Sequence, residues 1–268
     1  MAVIIIKLFS FFPNAVEKYY STGIYIYIAR FLRMAFGWIP FSMGDILYAL
    51  LGIYSLYKSI SLLKKGFKKQ LDRKYFFLFL KKMAFIVLVI YVLFNLLWGL
   101  NYNRLGIAYQ LQLNVQPYST KELHGILQII VERLNNLDSA ARLQRNELRK
   151  KSLLFSGSVD AYKNIENGNP IFGYPSPSVK PSIFSYAGDF LGFTGYYNPF
   201  SGEAQVNTTV PVFVQPFTTC HEIGHQLGYA KESEANFAGY LSSKSSDSKA
   251  FRYSVYFDLY LYLSLIHI

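Results

Sequence analysis

The chain has 268 residues, of which 52% are hydrophobic, 18% aromatic and only 16% charged, and its mean hydropathy is positive. That composition argues against an ordinary soluble domain and for a membrane class. The formal charge of +11 is uneven: residues 1–100 hold 13 Lys/Arg against three acids, and residues 101–268 hold 14 against 13.

In chain order, residues 1–12 are apolar but too few for a full span, and are read as a weak first span. Residues 13–40 are aromatic and partly amphipathic, which suits a segment lying on a membrane surface. Two stretches then approach the roughly 20 residues that a bilayer crossing needs. Residues 41–63 are broken only by Asp45 and Lys58, and residues 83–100 carry no charge. Between them, residues 64–82 hold Lys64, Lys65, Lys68, Lys69, Arg73, Lys74, Lys81 and Lys82. Dense positive charge between two spans marks a cytoplasmic loop and places both flanks outside. No phosphate-cradling glycine loop accompanies the charge, so no nucleic-acid partner is expected. Trp38 and Trp98 suit the membrane interface.

After Tyr102 the composition becomes mixed. Residues 119–151 read as one long amphipathic helix, opened by a Ser119-x-x-Glu122 capping box. His124 on that helix is read as structural or exposed. Residues 157–194, rich in Gly, Pro, Ser and aromatics, read as loops with short strands. Residues 202–211 read as a strand, either one with an exposed edge that can receive an extended peptide or, equally, part of a core hairpin with no substrate role. The apolar run from Tyr253, which contains Asp258, reads as a core helix of the outer domain.

The chemistry concentrates in His221-Glu222-Ile223-Gly224-His225, which uses two of the four histidines. Four residues apart on a helix, His221 and His225 share a face and can hold one zinc ion. Glu222 is then placed as general base toward a water whose pKa the metal lowers. Gly228 suits a left-handed helix end, and residues 229–241 read as a second helix, with Ala235, Ala238 and Gly239 small enough for close approach. Glu232 is taken as the third ligand, with Asn236 one turn later to orient it. Glu234, about 200° around the helix from Glu232, is the reserve. A Thr219-x-x-Glu222 capping box is the bland alternative, disfavoured because Pro216 suits the first turn of a helix that starts earlier. The lone Cys220 is read as a small buried residue and His267 as incidental.

The runs Gly202-Glu203-Ala204-Gln205-Val206-Asn207, Thr219-Cys220-His221-Glu222 and Gly228 through Phe237, together with Pro40-Phe41-Ser42-Met43-Gly44-Asp45, resemble a family of multi-pass bacterial membrane proteins, DUF3810, typical of Bacteroidota. The resemblance implies a gluzincin-like, membrane-bound zinc metallopeptidase, and it implies a C-terminus truncated relative to such proteins. More distantly, Glu232 and Asn236 are similar to a Glu-x-x-x-Asp pair found after H-E-x-x-H in membrane peptidases, with Asn in place of Asp.

The expected fold is therefore an α-helical membrane-anchor region, 1–102, followed by an α+β zincin-like domain, 103–268. That domain is expected outside the cytoplasmic membrane, acting on peptide or protein substrates with zinc as cofactor. His221, His225 and Glu232 are the expected ligands and Glu222 the catalytic base, with Tyr197, Tyr229, Tyr240 or Tyr253 able to stabilise an oxyanion. The alternative is a zinc-binding, non-hydrolytic scaffold or peptide receptor. A transporter ranks below both, because Asp45 is nearly the only acid in the spans.

Overall fold

The structure is a computed structural model that describes residues 1–68, 70 and 72–265; Lys69 and His267 lie outside the described residues. The fold is helix-rich. Helices α1 (Ala2–Ser10) and α2 (Pro13–Ala15), a π-helical stretch Val16–Ile24 and α3 (Tyr25–Phe36) form an N-terminal arm. Helices α4 (Met43–Phe67) and α5 (Arg73–Leu97) follow, then a short 3₁₀ turn (Gly99–Asn103) and α6 (Ile107–Gln110). The remainder is α7 (Thr120–Arg145), α8 (Lys151–Glu166), β1 (Val179–Pro181), α9 (Ser185–Leu191), β2 (Gly195–Asn198), β3 (Glu203–Val206), α10 (Gln215–Gln226), α11 (Glu232–Ser245) and α12 (Lys249–Leu265).

Helices α4 and α5 are 25 residues each, long and apolar enough to cross a membrane, and their most apolar windows are not buried within the protein. Both are longer than the apolar runs alone suggest. The basic residues expected in a loop continue the helices instead: Lys64 and Lys65 occupy the last turn of α4, and Arg73 through Lys82 form the first turns of α5. Lysine and arginine are good helix formers, so charge alone does not end a helix.

The arm at 13–36 is not a detached surface segment. Val16, Tyr20, Tyr25 and Ala29 bury themselves with Trp98, Leu100 and Ala230 in one core cluster. Glu17 and Arg104 form a buried ion pair at 2.7 Å, and the Glu17 carboxylate also accepts from the Leu105 and Gly106 amides. Trp98, read as an interfacial residue, belongs to this core, whereas Trp38 is 79% exposed.

The Ser119–Glu122 capping box is present, but the helix it opens ends at Arg145. A 3₁₀ turn over Glu147–Arg149 then leads into α8, which occupies the first part of the region read as loops. Helix α8 supplies Leu154, Ala161 and Tyr162 to a second core cluster with Cys220, Ile223, Tyr229, Ala238 and Phe251. Helix α10 lies between the two clusters.

The sheet has three strands in the order β1-β3-β2. Strand β1 pairs parallel to β3, with Val179 opposite Ala204, and β2 pairs antiparallel to it, with Gly195 opposite Val206. The strand expected over 202–211 is thus a four-residue central strand, buried along its length. It has no free edge, so the expected docking role cannot be its own. The edge nearest α10 belongs to β2.

The first turn of α4 is bonded to this sheet. Glu203, fully buried, accepts from the Gly44 amide at 2.7 Å and the Met43 amide at 3.2 Å. Asp45 accepts from the Ile183 amide at 2.7 Å, from Ser182 Oγ at 3.1 Å and from the Tyr196 hydroxyl. Carboxylates at a helix N-terminus meet unpaired N–H groups and the positive end of the dipole, which offsets much of the cost of burying them.

Candidate metal centre and cleft

Helix α10 begins at Gln215 with Pro216 in its first turn, where a missing N–H costs nothing. Thr219 is therefore interior, its hydroxyl donating to the Gln215 carbonyl at 2.7 Å, and no capping box involves Glu222. The helix ends in a paired reversal: the Gly228 amide donates to His225 O at 3.0 Å and the Tyr229 amide to Gly224 O at 3.2 Å. Gly228 sits at φ +88, a conformation that side chains with a Cβ rarely adopt.

That reversal sends the chain back as α11, which begins at Glu232, a turn later than the sequence reading. Ala235, Ala238 and Gly239 face α10 so closely that a Cβ on Gly239 would lie 3.1 Å from the His221 nitrogen. The close crossing positions the first turn of α11 over the two imidazoles. Their ring centroids are 4.7 Å apart. A Glu232 oxygen lies 3.3 Å from His221 Nε2, and the other lies 3.5 Å from His225 Nε2.

These separations suit a metal. Two donors each about 2.1 Å from a tetrahedral centre are about 3.4 Å apart, and the three donor atoms here all lie within 4.8 Å of one another. His225 Nδ1 is 2.7 Å from the Tyr229 carbonyl. With a metal bound, donation to that carbonyl would fix the tautomer and leave the Nε2 lone pair for the ion; in the structure Nε2 is the group that faces Glu232. Glu234, by contrast, is buried away from the imidazoles and 3.3 Å from Lys231 Nζ.

Asn236 departs from expectation. It makes no hydrogen bond to Glu232 among the described residues; instead it lies by His221 and helps to raise that ring's pKa. Burial is the largest influence on His221 and favours the neutral ring, but hydrogen bonding to Glu232, the charges of Glu222 and Glu232, and Asn236 together outweigh it. Hydrogen bonds from His221 and then His225 hold the Glu232 carboxyl far below the ordinary carboxylate range.

Glu222 lies on the same helix at the floor of a cavity of about 750 Å³. It is nearly fully buried, and among the described residues its Oε2 has no hydrogen-bond partner. Burial pushes its pKa up, the two histidines pull it down, and the charge of Glu232 pushes it up again, leaving it raised. A buried carboxyl with an unused oxygen is costly unless something meets it there. Strand β2 passes directly over it: a Cβ on Gly195 would lie 2.8 Å from Glu222 Oε1.

The cavity walls come from distant parts of the chain: Tyr48 of α4, Phe94 of α5, Trp98, Tyr102, residues 192–197, and Asp258 and Tyr262 of α12. Of the four tyrosines considered as oxyanion partners, Tyr197 alone lines it. Tyr229 instead donates to Gln110 Oε1 at 3.0 Å, Tyr240 stacks on Phe237, and Tyr253 stacks on Phe257. The Tyr197 hydroxyl is buried beside that of Tyr25, which donates to Gln226 O at 2.9 Å, and among the described residues it has no well-formed hydrogen bond of its own. Tyr102, unforeseen in the sequence, also reaches the cavity; its pKa is raised by burial and by the charge of Glu232. Asp258 is pushed up to about 6 by burial, against the pull of His221. His124 is exposed on α7, away from the cavity.

Sequence reading also missed what anchors the C-terminal end of α10. Trp98 Nε1 donates to His225 O, Tyr25 and Arg33 donate to Gln226 O, and Arg104 donates to Gly228 O. All four come from the first 104 residues. The available signal was isolated charge, Glu17, Arg33 and Arg104, in aromatic surroundings, since buried charges are paired or put to use.

Neither a curated protein nor a solved structure matches the chain. The family described as a protein of unknown function, DUF3810, matches residues 20–265. That span takes in both long apolar helices, the sheet and the His/Glu cluster, and the chain belongs to this family.

Proposed function

We propose that the protein is a membrane-bound zinc metallopeptidase. The observation that carries this reading is the meeting of His221, His225 and Glu232 around one point at a cavity whose floor is the unpartnered carboxyl of Glu222. A histidine–glutamate ion pair accounts for the first three residues alone; it gives no role to Glu222.

Zinc at these ligands supplies Lewis acidity, lowering the pKa of water and polarising the scissile carbonyl. Hydrolysis adds one water across the amide: its oxygen joins the carbonyl carbon, the C–N bond breaks, and a proton passes to the amine. Glu222 accepts that proton and returns it to the leaving nitrogen, a task suited to a carboxyl whose pKa burial has raised. Tyr197 or Tyr102 donates to the developing oxyanion. An extended substrate adds to the free edge of β2, where Gly195, Tyr196 and Tyr197 line the cavity.

Helices α4 and α5 expose apolar side chains along their length, which water disfavours and a bilayer accepts. The lysines and arginines at their joined ends support a cytoplasmic position for that end in this reading. The cleft lies at the opposite end, outside the cytoplasmic membrane, and lipid and a peptide are the partners.

The purified protein should carry close to one zinc per chain and cleave members of a mixed peptide library. Chelation should abolish cleavage and added zinc restore it. Full activity in metal-free protein would overturn the reading.

A further inference from the structure

Helix α9 has an outward face that nothing covers among the described residues. Tyr186, Phe190 and Leu191 are 77%, 92% and 76% exposed, and Ile183, one turn earlier, is 54% exposed. Tyr186 and Phe190, four apart, share a face of the helix, Leu191 lies beside Phe190, and Ile183 sits just before the first turn. The only charge on α9, Asp189, is itself exposed and accepts from Asn207 Nδ2 at 2.9 Å. A cluster of large apolar side chains this exposed is costly in water.

The position of α9 indicates what covers it. Its leading residues bond to the first turn of α4 through Asp45, which accepts from the Ile183 amide and Ser182 Oγ. Tyr48, about one turn further along α4, already lines the cavity. The cluster is thus tied to the end of an apolar helix whose other faces are equally exposed, and Gly192 and Phe193, which follow α9, form the cavity wall.

We propose that the cluster Ile183–Tyr186–Phe190–Leu191 is seated in the lipid leaflet beside α4 and holds the mouth of the cleft at the bilayer surface, so that the preferred substrate is a polypeptide anchored in that same leaflet. The proposal rests on the reading of α4 and α5 as membrane spans and of the cleft as a peptidase site. A substrate confined to the leaflet arrives by diffusion in two dimensions with its cleavable segment already near β2. A freely soluble peptide gains nothing from the seat.

The test uses the full chain in phosphatidylcholine–phosphatidylglycerol nanodiscs, with an environment-sensitive fluorophore on a cysteine placed at Phe190→Cys, at Leu56→Cys within α4, or at Asp160→Cys on the exposed face of α8. Native Cys220 is buried. Shallow spin-labelled lipid should quench the label at 190 and aqueous iodide should not, whereas the label at 160 should show the reverse. Quenching at 56 without quenching at 190 overturns the proposal and leaves the spans intact. Shielding of 190 from both quenchers also overturns it, because a protein then covers the cluster. No lipid quenching at 56 refutes the spans themselves.

In a second arm, an N-palmitoylated peptide in the same nanodisc is compared with the unacylated peptide. Phe190→Ser with Leu191→Ser should lower turnover of the anchored peptide about tenfold and leave the soluble one unchanged. Equal loss on both substrates overturns the substrate assignment. Cleavage of neither peptide by the wild-type protein contradicts the peptidase reading, while the fluorescence arm still decides the lipid seat.

Discussion

Trp98 Nε1 donates to the backbone carbonyl of His225 at 3.0 Å, and the two rings meet edge to face at 5.9 Å. Trp98 follows directly on α5 and His225 lies in the last turn of the cluster-bearing helix, so this contact joins a long apolar helix to the candidate metal centre. A segment that hydropathy reads as the end of a span is in fact part of the site's support.

Trp98→Phe keeps the ring but removes the donor. The His225 carbonyl still accepts from Gly228, so the loss of stability should be about 1 kcal/mol, read as a lowered melting temperature in detergent. Zinc affinity should fall by about 10-fold, as for other groups that orient a ligand. Unchanged affinity would show that the contact is purely structural.

The third ligand is tested by paired substitutions. Glu232→Ala should lose zinc under competition with a chelator. Glu234→Ala should keep it and lose stability instead, because its partner Lys231 and the buried pocket around the carboxylate lie away from the imidazoles. Asn236→Ala should weaken zinc binding by roughly 10- to 100-fold, acting through His221. Loss of zinc in Glu234→Ala with retention in Glu232→Ala would reassign the ligand.

Gly195→Ala tests the close passage of β2 over Glu222. The added methyl group would meet Glu222 Oε1 at 2.8 Å, so the carboxyl or the strand must shift. A displacement of about 1 Å at a reacting group can cost about 100-fold in rate. Peptide cleavage should therefore fall steeply while zinc content stays at the wild-type level.

Glu17 supplies a pH dependence outside the cluster. Burial pushes its pKa up, but Arg104 and the Gly106 and Leu105 amides outweigh burial and leave it lowered. A carboxyl depressed in the folded state contributes stability above its unfolded pKa, and that contribution is lost as pH falls through the folded value. Melting temperature should drop on acidification below the ordinary glutamate range. Glu17→Gln, which leaves Arg104 buried without its partner charge, should cost about 3–5 kcal/mol near neutral pH and flatten that acid slope.

Much of this site was legible because its rules are local. Spacing of four on a helix brings His221 beside His225, a half-turn offset separates Glu232 from Glu234, and Gly228 marks the reversal between helices. What was not legible depends on contacts distant in sequence. Nothing near residues 202–211 shows that β1 and β2 cover both edges of β3, so the strand expected there to offer an exposed edge has none. Nor does hydropathy distinguish an aromatic arm on a membrane surface from one that buries Tyr25 and Arg33 against the carbonyls of α10. Asn236 lies one turn from Glu232, yet it makes no hydrogen bond to it among the described residues, and its electrostatic influence falls on the His221 ring across the close crossing at Gly239.

Topology is testable without activity. In cells, Lys68→Cys should resist a membrane-impermeant thiol reagent applied from outside, and Asp160→Cys should react. Efficient labelling at position 68 from outside would invert the arrangement.

The central claim is that Glu222 moves the proton in a metal-dependent hydrolysis, and it is tested most directly by Glu222→Gln. The substitution keeps size and shape, removes the base, and leaves His221, His225 and Glu232 untouched. Zinc content and peptide cleavage should be measured on the same preparation. Zinc equal to the wild-type level with cleavage lowered by at least about 100-fold is the predicted result; wild-type cleavage by Glu222→Gln at equal zinc would contradict the account.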